Sequence, residues 1–211
     1  MLIVYTAALG DTDAVQAPLV VQRDVRYLCF SDRPCPDPYE WIRVKPSDDL
    51  RLQSRVYKVR ADHRALQGAT MTLWHDASYQ LTDSLDWVPQ MLQQSALAGI
   101  AHHRHRRIED EAIAIADRGF VRVRRAWKLV CQYRDRGFLG ETAVTMGGLL
   151  ARRICPEVQA FNALWWREVQ RWNGRDQACL DYAAWAAGIK VVHLSGWLRN
   201  NPFAVWRGVA A

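Results

Sequence analysis

Six short apolar runs punctuate the chain: LIVYTA from Leu2, RYLCF from Arg26, MTLWH from Met71, LAGIAH from Leu97, VTMGGLLA from Val144 and IKVVHL from Ile189. Their length and their β-branched and aromatic content predict strands. Between them apolar residues recur at helical spacing. Gln53 to Leu66 places Val56, Val59 and, less regularly, Ala65 and Leu66 on one side; Arg107 to Arg118 does so with Ile108, Ala112 and Ile115. A helix capped by Asp83 or Ser84 reaches Gln94, another spans Arg124 to Arg136, Pro156 opens one that runs to Trp172, and Asp176 to Ala187 is stopped by Gly188.

Strands alternating with helices predict an α/β fold around a mainly parallel sheet with helices on both faces. Such sheets bind ligands beyond the carboxyl ends of their strands. Thr6, Asp32, Asp76 and His193 all lie at or near predicted strand ends, so the pattern alone brings four polar groups toward one edge.

A chain of 211 residues fits one domain, residues 1–211, with a core of its own. A net charge of +6 favours anionic partners such as nucleotide diphosphates, nucleic acid or acidic polymers, although a solvated surface gives the same excess. There is no run of about eighteen apolar residues, so no membrane-spanning helix is expected, and MLIVYTAALGD has no basic leader. Five unpatterned cysteines predict reduced thiols in a cytoplasmic protein, with Cys29, Cys131 and Cys179 in the core.

Four stretches carry candidate chemistry. In TLWHDASYQL an apolar run ends on Asp76, either as an ordinary turn carboxylate or as a divalent-cation ligand facing a diphosphate. LQSRVYKVRADHRAL sets Arg51, Arg55 and Lys58 at helical spacing, a face suited to phosphate or to solvent. AHHRHRRIEDEA would project His103 and His105 to one side if extended, but Glu109, Asp110 and Glu111 fit a helix start better than a zinc site. WWREVQRWNGRDQ offers Arg175, Asp176 and Gln177 for sugar hydroxyls; alternatively, Asp176 is a helix cap, with Trp165, Trp172 and Trp185 in the core.

The order and spacing of YLCFSD, SRVYKVRADHRAL, TLWHDASYQL, HHRHRRIEDEA and LWWREVQRWNGRDQ resemble the TOD/MUCI-type glycosyltransferase-like family. The resemblance implies a GT-A-like nucleotide-sugar-binding fold, with Asp32 near the nucleoside, Ser54, Arg55 and Lys58 near the donor, and Asp76 at the diphosphate-metal position. GRDQ, from Gly174 to Gln177, matches the family's SRDQ and would face the transferred sugar or the acceptor; Ser78 stands where a second acid is usual. Position along the chain adds Thr6 as a donor contact and His193 as a metal ligand. The implied activity is a cytoplasmic, metal-binding glycosyltransferase with Asp176 as base or sugar-orienting group. It would move sugar from a nucleoside diphosphate to a glycan, lipid-linked or cell-surface acceptor, assisted by Mn²⁺ or Mg²⁺. Two alternatives stand beside it: a non-catalytic module binding nucleic acid or an acidic polymer through Arg104, Arg106, Arg107, Arg122, Arg124 and Arg125, and a nucleotidyltransferase on the same fold.

Overall fold

The computed structural model describes residues 1–10, 14–140, 143–197, 199 and 201–208. The six apolar runs become β1 (Leu2–Ala8), β2 (Val25–Ser31), β4 (Met71–His75), β6 (Leu97–Ala101), β7 (Thr145–Arg153) and β8 (Val191–Leu194). With β3 (Glu40–Arg43) they form one sheet ordered β3-β2-β1-β4-β7-β6-β8. Only β7 runs antiparallel to its neighbours. Its reversal places its first residue, Thr145, at the edge where the parallel strands end.

Period-two alternation divides the core between the two faces of the sheet. Ile3, Tyr5, Trp74 and Leu150 pack against α3 (Ile108–Asp117), α4 (Val123–Asp135), α5 (Pro156–Arg171) and α6 (Gln177–Ala186). Val4, Leu73, Leu149 and Ala151 face α2 (Trp87–Gln94) and a small antiparallel pair, β5 (Tyr79–Leu81) with β9 (Ala204–Trp206). Gly188 closes α6 at φ 71°, a left-handed conformation that favours glycine. This is the GT-A-like α/β arrangement, and no helix among the described residues is long and apolar enough to cross a membrane.

The structure departs from the sequence expectations at several places. The helix expected over Gln53 to Leu66 is instead α1 (Leu50–Arg55), a π-turn over Val56–Arg60 and a 3-10 turn over Arg64–Leu66. Ala61 breaks it at φ 49°. Neither Asp83 nor Ser84 caps α2, which begins at Trp87; Asp83 instead accepts the Ser84 N–H. The short strands β3, β5 and β9 have too few residues to show a period. Cys29 and Cys35 are bridged, which corrects the expectation of five reduced thiols, and Cys131 is exposed on α4. Trp165 and Trp172 are fully buried, but Trp185 is exposed because it lies on the outer side of α6.

Candidate functional site

The π-turn after α1 sets the geometry of the centre. Its wide pitch turns the Lys58 carbonyl out of the helical ladder, where it accepts a 2.7 Å hydrogen bond from Arg152 Nη2. Arg152 also donates to the Tyr5 hydroxyl at 2.9 Å and lies 5.4 Å from the centre of the Trp165 ring. A wholly buried guanidinium thus replaces the missing helical partner and fixes the turn against β1.

The Lys58 side chain points from that turn to the end of β4. Its ammonium, with the side chain 2 % exposed, lies 3.1 Å from Asp76 Oδ1 and 2.5 Å from Asp176 Oδ2. Arg55 Nε meets the other Asp176 oxygen at 3.0 Å. Burial by itself would raise the pKa of Asp176, but the attraction of Arg55 and Lys58 outweighs it and holds the carboxyl well below the usual range. The same attraction raises the pKa of Arg55. Asp176 stands at the N-cap position of α6, as expected, but its side chain makes no cap bond there and serves instead as the counter-ion of two cations.

Asp76 follows the last residue of β4 but keeps the ladder going, donating its N–H to the Gly148 carbonyl at 2.8 Å. Trp74 Nε1 donates to Asp76 Oδ1 at 2.8 Å, so this carboxylate is held on its inner oxygen by an indole and an ammonium. The space for this cluster comes from β7. Its pairing with β6 jumps from Leu150 opposite Gly99 to Met146 opposite Ile100, a bulge containing Gly147 and Gly148. A Cβ on Gly147 would lie 3.0 Å from Lys58 Nζ and 3.2 Å from Asp176 Oδ2; one on Gly148 would strike the Tyr79 ring at 2.7 Å.

Above Asp76 opens a cleft of 440 Å³ lined by Leu9, Leu50, Arg51, Ser54, Arg55, Trp74, Asp76 and Ser78. Ser54, Arg55, Lys58, Asp76, Ser78 and Asp176 are therefore gathered at one place. Asp32 lies at the end of β2, accepting the Gly10 N–H at 3.1 Å on Oδ2, while its buried Oδ1 has no partner among the described residues. Thr6 is buried with a hydroxyl that has no partner among the described residues, but alternation along β1 turns it to the Val4 face, away from Ala7 at the cleft. Arg175 stacks 4.2 Å from the Phe120 ring centre, and burial pushes its pKa down.

His193 does not join Asp76. Strands β7 and β6 intervene, roughly 14 Å at ~4.8 Å per strand, and its Nε2 lies 2.9 Å from the Thr145 hydroxyl. Thr145 reaches across Gly99, whose missing side chain leaves that room, and donates to Asp181 at 2.5 Å. Asp181 and His193 border a larger hollow of 740 Å³ with Phe138, Leu139 and Trp185, an apolar surface distinct from the charged cleft.

Gln177 also points elsewhere. Its side-chain amide donates to Glu111 Oε2 at 2.8 Å, and the same oxygen meets His105 Nδ1 at 2.7 Å. Asp110 does serve the start of α3, accepting the N–H groups of Arg106 and Arg107, whereas Glu111 is buried and points to His105. The sequence reading missed Gly147, Arg152 and Glu111. The GG pair within a strand was a visible signal for the first; nothing local distinguished the other two.

A family model described as TOD1/MUCI70, glycosyltransferase-like domain, matches residues 41–194. No curated protein matches the chain.

Proposed function

Because the chain belongs to the TOD1/MUCI70 glycosyltransferase-like family, we propose that it transfers a sugar from a nucleoside diphosphate bound over Asp76 to a glycan, lipid-linked or cell-surface acceptor. The observation that carries this reading is the nearly wholly buried Lys58 ammonium between Asp76 and Asp176, with Arg55 beside it, under an open cleft at the carboxyl edge of the sheet. Fixed cations at that edge suit a departing diphosphate, whose negative charge grows as the glycosidic bond breaks. Asp32, whose buried Oδ1 has no partner among the described residues, would supply an acceptor for a nucleoside hydroxyl or amine. Asp176 has both oxygens in ion pairs, so its role in this reading is to position Arg55 and Lys58 rather than to take a proton.

The protein donors fit a divalent cation only as a partial set. Asp76, one-third exposed, would offer its outer oxygen beside the Ser78 hydroxyl, and His193 lies too far along the sheet to contribute. Mn²⁺ or Mg²⁺ would then bind weakly, completed by diphosphate oxygens, and would neutralise leaving-group charge. The cytoplasmic location expected from unpaired thiols loses the support of two of the five cysteines, since Cys29 and Cys35 are bridged.

A second reading rests on a basic hollow of 620 Å³ containing Arg122, Arg124, Arg125 and Lys128, which suits an acidic polymer. A thermal-shift panel of nucleoside diphosphates and nucleotide sugars, with and without Mn²⁺, separates the two readings, because a ligand of the folded state raises its melting temperature. Stabilisation by a diphosphate supports transfer; stabilisation by polyanions alone, lost steeply with salt, supports the second reading.

A further inference from the structure

The structure assigns a second reactive centre, resting on the glycosyltransferase reading: we propose that His105 is the general base that accepts the proton of the incoming acceptor hydroxyl. Glu111 and Gln177 would be its positioning residues. Glu111 is 3 % exposed and lies on the first turn of α3; its Oε2 accepts from Gln177 and meets His105 Nδ1 at 2.7 Å. A carboxylate can only accept, so His105 carries a proton on Nδ1 and its Nε2 lone pair is left for substrate. The His105 side chain is one-fifth exposed, which leaves that nitrogen a route to solvent or ligand.

The placement suits the reaction. His105 follows the end of β6, a strand separated from β4 by β7 alone, so it lies beyond the same carboxyl edge of the sheet as Asp76. One peptide link couples the two centres: Asp176 holds Lys58 and Arg55, and the next residue, Gln177, holds Glu111. In the step, the acceptor oxygen forms a bond to the anomeric carbon while the bond to the diphosphate breaks and the diphosphate leaves with the electron pair. The hydroxyl proton passes to His105 Nε2, and the imidazolium is balanced by Glu111. A single displacement of this kind inverts the anomeric centre.

His102, His105 and Glu111 also place one candidate ligand atom each within 4.8 Å of one another, which raises a metal site as the competitor. Local bonding argues against it. His102 Nδ1 accepts the N–H groups of Arg104 and His105, so its lone pair on that atom is already engaged and its proton is on Nε2, while its ring stacks on His105 at 3.8 Å.

The test measures release of nucleoside diphosphate from a panel of uridine and guanosine diphosphate sugars, with water or simple glycosides as acceptors. It compares wild type, His105→Ala, His105→Gln and Glu111→Gln, and adds uridine and guanosine diphosphate binding and melting for each. We expect unchanged nucleotide binding, a loss of turnover of about 100-fold or more in both His105 variants, and partial rescue of His105→Ala by added imidazole. Glu111→Gln should lower turnover, since the amide keeps the hydrogen bond but not the charge. Full turnover in either folded His105 variant overturns the proposal, as does a loss that imidazole does not restore. Tight zinc binding abolished equally by His102→Ala and His105→Ala would overturn it in favour of a metal site. A wild type that binds no nucleotide and turns over no donor removes the parent reading, and this base with it.

Discussion

Asp176 and Asp181 lie five residues apart at α6, and their surroundings drive their proton affinities in opposite directions. Asp176 faces Arg55 and Lys58, and their attraction overcomes burial and lowers its pKa. Asp181 accepts from the neutral donors of Thr145 and feels the like charge of Glu111, so burial prevails and raises its pKa to about 6. The contrast separates two kinds of enclosed carboxylate. One is held charged because its partners are cations aimed at a ligand cleft; the other bears its charge at a cost, beside an apolar hollow.

The largest expected effect comes from removing the shared cation. Lys58→Met leaves Asp76 and Asp176 facing each other without their ammonium and should cost about 3–5 kcal/mol of stability in denaturant unfolding. Asp176→Asn added to Lys58→Met should recover part of that loss, because the variants touch one interaction. A loss under about 1 kcal/mol would mean that Lys58 does not hold the centre together.

A smaller effect is expected at the β7 bulge. Gly147→Ala puts a methyl 3.0 Å from Lys58 Nζ and should cost about 1–3 kcal/mol through displacement of the ion pairs, measured the same way. Unchanged stability would mean the bulge has slack and does not set the spacing.

Asp181 gives an effect of opposite sign, confined to the higher pH range. Its folded pKa is raised, so the charged form is disfavoured in the fold, and stability falls as pH rises from its unfolded value near ~4 toward 6. Asp181→Asn can still accept the Thr145 N–H and donate to the Thr145 hydroxyl. It should therefore stabilise the protein by up to about 3 kcal/mol above pH ~6 and by nothing below pH ~4. Melting curves of both proteins across that range check it; a pH-independent difference would contradict the contrast with Asp176.

Much of the architecture was legible from periodicity. Six apolar runs became six strands of the main sheet, and α3, α4, α5 and α6 fall within a residue or so of their expected ends, because burial against one sheet imposes a clear period. The π-turn was not legible, since what stabilises it is Arg152, almost a hundred residues later in the chain. The same limit applied to the site. Asp76, Arg55 and Lys58 could be singled out locally, but the pairing of Lys58 with Asp176 and of His105 with Glu111 arises from tertiary packing. Three identical-looking acids, Glu109, Asp110 and Glu111, proved to face an arginine, the helix start and a partly exposed histidine respectively.

The central claim is that the Asp76 cleft takes a diphosphate with its cation, and calorimetric titration of uridine diphosphate into wild type and Asp76→Asn, with Mn²⁺ or with excess chelator, tests it most directly. The amide oxygen can keep the inner contacts to Lys58 and Trp74, so the variant should melt like wild type. The account predicts nucleotide binding to wild type that weakens in chelator and an Asn variant that no longer responds to Mn²⁺. Equal affinity in all four titrations, or no binding by any nucleoside diphosphate, would contradict it.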